Sequence, residues 1–125
     1  MVLGYRKQIG QKGEDAACTY LRKKGYKIVE RNFRLRNAEV DIIAIDPSKK
    51  NRSTVFIEVK SRTSKNYGSP LEAIGYYKLQ ALNRAAIYYQ SFHPELPQLL
   101  RLDAISIILN ENGHISAFDH IENIG

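Results

Sequence analysis

From Ile9 to Lys24 the apolar residues Ile9, Ala16, Ala17, Tyr20 and Leu21 fall on one side of a helix, and Gly25 follows as a C-terminal stop. The period then changes. Tyr26 to Leu35 carries Ile28 and Val29 in a strand-like stretch, Arg36-Asn37 reads as a turn, and Glu39 to Ile45 is a second strand closed by Asp46-Pro47. After a polar loop to Ser53, Thr54 to Lys60 is a third strand rich in β-branched residues. A long polar loop, Ser61 to Pro70, precedes a second helix over Tyr76 to Gln90, where Leu79, Leu82, Ala86 and Tyr89 recur at helical spacing. Pro94 to Pro97 breaks the chain, Leu99 to Leu109 is a fourth strand, and Asn112-Gly113 is a hairpin turn into a fifth strand at His114 to Phe118. Helix, three strands, helix, two strands predicts an α/β fold with a mixed central sheet flanked by helices.

Two of these strands hold acids that their surroundings disfavour. In Ala38-Glu39-Val40-Asp41-Ile42-Ile43-Ala44-Ile45 the residues beyond Asp41 are apolar on both faces, the mark of a central strand buried on both sides. Charge there is costly unless it is paired or bound to metal. In Val55-Phe56-Ile57-Glu58-Val59-Lys60, alternation puts Glu58 and Lys60 on one face with Phe56. If the two strands are neighbours, Asp41 and Glu58 converge on one divalent cation, and two carboxylates with waters suit Mg²⁺ or Mn²⁺ better than zinc. Such a cation offsets charge on a scissile phosphate and acidifies a bound water, and an adjacent lysine orients the attacking water or stabilises the transition state. An isolated E-x-K is common, and a surface ion pair is its ordinary meaning. The aspartate on the preceding apolar strand gives this one its weight.

Charge bears on the partner. Lys plus Arg number 19 against 13 for Asp plus Glu, a net +6, and the residues after Leu109 contain neither Lys nor Arg. The excess favours an anionic partner, nucleic acid first, without itself separating DNA from RNA. The length of 125 residues fits one domain over 1–125. No apolar run approaches the span of a bilayer and no secretory pattern opens the chain, so the expected location is cytoplasmic, with no membrane partner. Cys18 is the single cysteine and reads as a buried small hydrophobe.

With these pieces in view, the chain resembles the YraN-like family of small bacterial proteins, placed in the PD-(D/E)xK (restriction endonuclease-like) nuclease superfamily. The resemblance rests on Gly10-x-x-Gly13-Glu14-x-x-Ala17, Arg31-Asn32-Phe33, Glu39-Val40-Asp41-Ile42-Ile43-Ala44, Phe56-Ile57-Glu58-Val59-Lys60-x-Arg62, Tyr67-Gly68-Ser69-Pro70-x-Glu72-Ala73 and Lys78, with a weaker match through Arg101-Leu102-Asp103. It implies a restriction endonuclease-like αβββαβ core, with Asp41, Glu58 and Lys60 as the catalytic set. It also implies that Glu14 joins Asp41 and Glu58 as a metal ligand and that Lys78 contacts phosphate. The family usually has glycine before the first acid of its G-E-x-D motif, where this chain has Ala38, so Glu39 is the weakest member of the ligand set.

Other polar residues fill in the picture. Arg62, Lys65 and Tyr67, directly after Lys60, form the leading loop for contact with a phosphate backbone. His93, His114 and His120 lack a metal-binding spacing and read as loop or surface residues. Asp103 reads as the partner of Arg101 or of a sheet neighbour. Of Tyr76, Tyr77, Tyr88 and Tyr89, core packing or a subunit contact is the default role, while exposed ones suit stacking on bases. The expected activity is Mg²⁺- or Mn²⁺-dependent endonucleolytic hydrolysis of phosphodiesters, with branched DNA among the substrates and a homodimer matching a two-fold symmetric one. The alternative is a non-cleaving nucleic-acid-binding module or assembly scaffold that keeps the fold.

Overall fold

The computed structural model describes residues 2–63 and 74–125, with side chains from residue 8 onward. The elements are α1 (Val2–Lys23), β1 (Lys27–Leu35), β2 (Ala38–Asp46), β3 (Ser53–Arg62), α2 (Tyr76–Ser91), β4 (Leu100–Leu109) and β5 (Ile115–Ile121). Their order is the one read from the periodicity. α1 starts earlier than its apolar period, because extending a helix costs little once its later turns are packed. It stops at Gly25, whose φ of +90° is open to glycine without strain. β5 runs on to Ile121, held by pairing with Ala104.

The strands lie side by side in chain order, β1-β2-β3-β4-β5. All neighbours are antiparallel except β3 and β4, which are parallel and joined through α2. The result is a mixed sheet with one helix on each face. Under α1, Ala17, Cys18 and Leu21 pack on Ile42, Ala44, Val55, Ile57, Ile105 and Ile107. Under α2, Leu82, Ala85, Ala86 and Tyr89 pack on Val40, Ile43, Phe56 and Leu102. β2 and β3 are therefore buried on both faces, as their continuous apolar runs require.

Two features shape the sheet near its acids. The β2–β3 pairing runs from Asp46↔Ser53 to Ile42↔Ile57. Beyond it, the first residues of β2 stay with β1 (Val40↔Phe33, Glu39↔Arg34), while the last residues of β3 stay with β4 (Glu58↔Ala104, Lys60↔Ser106). The two central strands thus part into a fork. At the same level, face alternation breaks in both strands of the β1–β2 pair. Arg31 and Ile42 face α1, whereas Phe33 and Val40 face α2. Asn32, with φ of 56°, makes the crossing in β1 opposite Asp41 in β2. The side-chain oxygen of an Asn stabilises this left-handed conformation better than most residues do.

At the far end of the sheet a buried polar network closes the core on the α1 side. Arg101 donates to both oxygens of Asp103 at 2.9 Å, and to Asp46 and the Tyr26 hydroxyl at 2.7 and 2.8 Å. Asp103, fully buried, also receives the Asn123 amide at 3.0 Å and lies 2.8 Å from Nε2 of His120. His120 corrects the sequence expectation of a loop or surface histidine. It sits in β5 with its side chain buried, and its Nδ1 meets the Tyr20 hydroxyl at 2.9 Å. His93 and His114 lie in connecting segments as expected. Burial pushes the Asp103 carboxyl up, but the bonds from His120, Arg101 and the Asn123 amide outweigh it and hold the group below the usual carboxylate range.

Gly13 has a packing reason. A Cβ there would meet the Ser61 side chain, with Ser61 Cβ at 2.9 Å and the hydroxyl nearer still, so a side chain would push α1 off β3. Gly13→Ala, which would gain about 1 kcal/mol in an exposed helix, is expected here to lose about 1–3 kcal/mol by overpacking. Pairing it with Ser61→Gly should recover part of the loss. Urea unfolding of the single and double variants measures both, and a Gly13→Ala chain as stable as wild type would show that the contact yields without cost.

Candidate active site

The fork between β2 and β3 holds the acids. Asp41 leans across it and accepts the Val59 backbone amide on Oδ2 at 2.7 Å, in place of the strand partner that β3 has lost there. Glu58, buried on the α2 side, is reached by two ammonium groups. Lys60, two residues along the same face, has its Nζ at 3.5 Å from Oε1, and Lys78, from the first turn of α2, lies at 2.7 Å from the same oxygen. The expected direction of Glu58 and Lys60 is therefore observed, with Lys78 as the closer cation. Tyr77, Ala81 and Leu82 of α2 close one wall of an open cleft of about 840 Å³, and Arg34, Arg36 and Glu39 line the other.

The charges are not balanced as in an inert ion pair. Burial, with the Glu58 carboxylate next, pushes Asp41 up to about 7, opposed by the Val59 amide. Burial and the adjacent Lys78 ammonium push Lys60 down. Burial also works against the charge of Lys78, but its hydrogen bonds to Glu58 and Lys60, with the charges of Glu58 and Asp41, together outweigh that and hold it above the ordinary lysine value. An Asp raised by burial and by a neighbouring carboxylate is a group short of positive charge.

The remaining residues of the sequence reading are placed as follows. Glu39 lines the same cleft but points to Arg34, at 3.4 Å. Glu14 accepts from Arg31 Nε at 2.9 Å and from Asn32 at 3.0 Å, and faces a separate groove beside β1. Among the described residues no three of His, Cys, Asp and Glu gather as a complete metal cage. A cation between Asp41 and Glu58 would take the rest of its shell from solvent or substrate oxygens, the arrangement that Mg²⁺ favours. Arg62 ends β3. Lys65 and Tyr67 lie outside the described residues. Sequence reasoning missed Arg34 and Arg36 as cleft residues. Their signal was available, because the β1–β2 turn that carries them leads directly into the strand of Asp41.

Comparison with known proteins bears on ancestry. The sequence model of Uncharacterised protein family UPF0102 matches residues 13–107. The chain belongs to the UPF0102 family. A UPF0102 protein of Geobacter metallireducens is 40% identical over 119 residues, covering 95% of this chain and 93% of the relative. One from Chlorobium phaeobacteroides is 44% identical over 119 residues, covering 92% and 91%. Another, from Clostridium acetobutylicum, is 43% identical over 118 residues, covering 94% and 93%. The UPF0102 match begins at Gly13 and takes in Asp41, Glu58, Lys60 and Lys78. No helix among the described residues is long and apolar enough to cross a membrane.

The Asp41 environment has a measurable consequence. In the folded chain Asp41 holds its proton up to about pH 7, whereas the unfolded chain releases it near the ordinary aspartate value, about 3.9. The folded state therefore loses stability as pH rises between those values. Asp41→Asn keeps an acceptor for the Val59 amide without the charge. In EDTA it is expected to melt a few degrees above wild type at neutral pH and level with it near pH 4. A variant that melts below wild type at both pH values would contradict the strain assigned to Asp41.

Proposed function

We propose that this UPF0102 protein is a metal-dependent phosphodiester hydrolase acting on nucleic acid, DNA before RNA, built on a restriction endonuclease-like αβββαβ core of the PD-(D/E)xK superfamily. One observation carries the reading: Asp41 and Glu58 stand in the mouth of a strand fork with Lys60 and Lys78 on Glu58, and Arg34 and Arg36 line the open cleft. Nothing in the packing of β2 and β3 requires charge at that point.

The residues fit Mg²⁺ or Mn²⁺. Both donors are oxygens, and a divalent cation would offset the burial and the Glu58 charge that together raise Asp41. When bound, such an ion supplies Lewis-acid polarisation of the phosphate and an acidified water. Asp41 and Glu58 would hold it, Asp41 steadied by the Val59 amide. Lys60, beside Glu58, would orient the attacking water. Lys78 would turn from Glu58 to the phosphate oxygens, where its fixed positive charge opposes the negative charge gathered in the transition state. Arg34 and Arg36 are placed to take flanking phosphates. Glu14 would join the ligands only by releasing Arg31 and Asn32, and Glu39 only by releasing Arg34.

Labelled single-stranded, duplex, flapped and four-way DNA, incubated with Mg²⁺ or Mn²⁺, tests the reading. Cutting is expected with metal and absent in EDTA. Glu58→Gln and Lys60→Ala should each lower the rate by about 10²-fold or more, with DNA affinity kept within a few-fold. Metal uptake by calorimetry should fail in Glu58→Gln. Salt-sensitive binding without cutting or metal uptake would replace the enzyme with a binding module.

A further inference from the structure

α2 begins with two aromatic residues that the fold does not use. Tyr77 is 85% exposed and Tyr76 is 69% exposed, and their rings meet edge-on with centroids 5.3 Å apart. Tyr89, on the same helix, is core. Tyr77 is also a wall of the cleft, and the next residue, Lys78, has its Nζ 2.7 Å from Glu58. A large aromatic at the entrance to a charged cleft, with most of its surface in water, costs solvation and returns no packing.

The neighbouring charges say what covers it. The cleft that Tyr77 borders contains Arg34, Arg36, Lys60 and Lys78 beside Glu39, Asp41 and Glu58, on a chain of net charge +6. A second copy docking there would bring the same mixture of charges and no phosphate to its cations. A strand of nucleic acid brings phosphates to the cations and a flat apolar ring to the phenol, the pairing by which single-strand sites are built. A base inside a closed duplex shows only its edge in a groove and cannot present its face.

We propose that Tyr77, backed by Tyr76, is a stacking platform for an unpaired base beside the phosphate that Lys78 would take, so that the preferred substrate is nucleic acid single-stranded or frayed next to the cut. The proposal deepens the hydrolase reading and rests on it for the position of that phosphate. The stacking itself needs neither metal nor turnover.

The test is therefore made in EDTA, by fluorescence anisotropy of labelled oligo(dT), oligo(U) and a blunt hairpin duplex of matching length. Wild type is expected to bind the single strands more tightly than the hairpin, the two single-strand probes showing which sugar it prefers. Tyr77→Ala should weaken single-strand binding about 5- to 150-fold, the worth of one stacked base, and leave the hairpin within about twofold. Tyr77→Phe, which keeps the ring, should bind like wild type. A 2-aminopurine in the oligo(dT) should be quenched on binding wild type and recover in Tyr77→Ala. Tyr88→Ala removes an exposed ring at the other end of α2 and should change nothing. Equal affinity for strand and hairpin, loss of both together in Tyr77→Ala, or an equal loss in Tyr88→Ala overturns the platform. So does a Tyr77→Ala chain whose only change is weaker self-association on sedimentation, which would make the ring a protein contact. Metal-dependent cutting that survives any of these results leaves the hydrolase reading standing without the platform.

Discussion

The amide of Val59 has lost its strand partner, and the structure of the site follows from how it is satisfied. β2 leaves with β1 and β3 leaves with β4 beyond the Ile42↔Ile57 pair. A buried amide left open costs free energy comparable to a lost hydrogen bond. The Asp41 carboxylate fills the place at 2.7 Å, which pins its side chain in the mouth of the fork. Glu58 is held beside it by the central strand of the sheet, with Phe56 and Ile57 fully buried just before it. The acids therefore stand where the buried central strands of the sheet part. Glu58 is answered by Lys60 of β3 itself and, at closer range, by Lys78 from the start of α2.

Asp41 and Asp103, on the strands either side of β3 and within one residue of the same level, show what separates a satisfied charge from an unsatisfied one. Asp103 is surrounded by donors from Arg101, His120 and the Asn123 amide, and its carboxyl is held below the usual range. Among the described residues Asp41 has the Val59 amide, and burial, with a neighbouring carboxylate next, pushes it up to about 7. Both lie within apolar strands, and both would be called buried acids from sequence. One is complete as it stands. The other is left short of positive charge at the point where the sheet opens to solvent, and folds retain that kind of local conflict at working sites.

This contrast also marks how far the residues alone could be read. The element order came through because helical and strand stretches differ in their apolar pattern and the breaks between them carry turn residues. Asp41, Glu58 and Lys60 stood out as charges inside apolar runs, a local signal. Lys78 entered only through family resemblance, since its ion pair with Glu58 joins the second helix to the third strand. His120 was misplaced for a related reason. Nothing in Phe118-Asp119-His120 says that Asp103 and Tyr20, far away in the chain, meet its two ring nitrogens. The fork was invisible too, because alternation assumes that a strand keeps one partner on each side throughout. β2 and β3 do not.

The first-helix glutamate shows how such distant relations converge on one place. Glu14, on α1, accepts from Asn32, the residue whose left-handed backbone carries β1 from the α1 face to the α2 face. The flanking pairs Arg31↔Ile42 and Phe33↔Val40 put Asn32 level with Asp41. A regular β1 would keep Phe33 on the same face as Arg31 and take it out of the cluster around Val40 beneath α2. By holding Asn32 and Arg31 together, Glu14 secures the crossing on β1, and the matching crossing on β2 is what aims Asp41 into the fork. The charge on α1 thus bears on the site twice, through the backbone of the edge strand and through its own field, which helps to push Asp41 up.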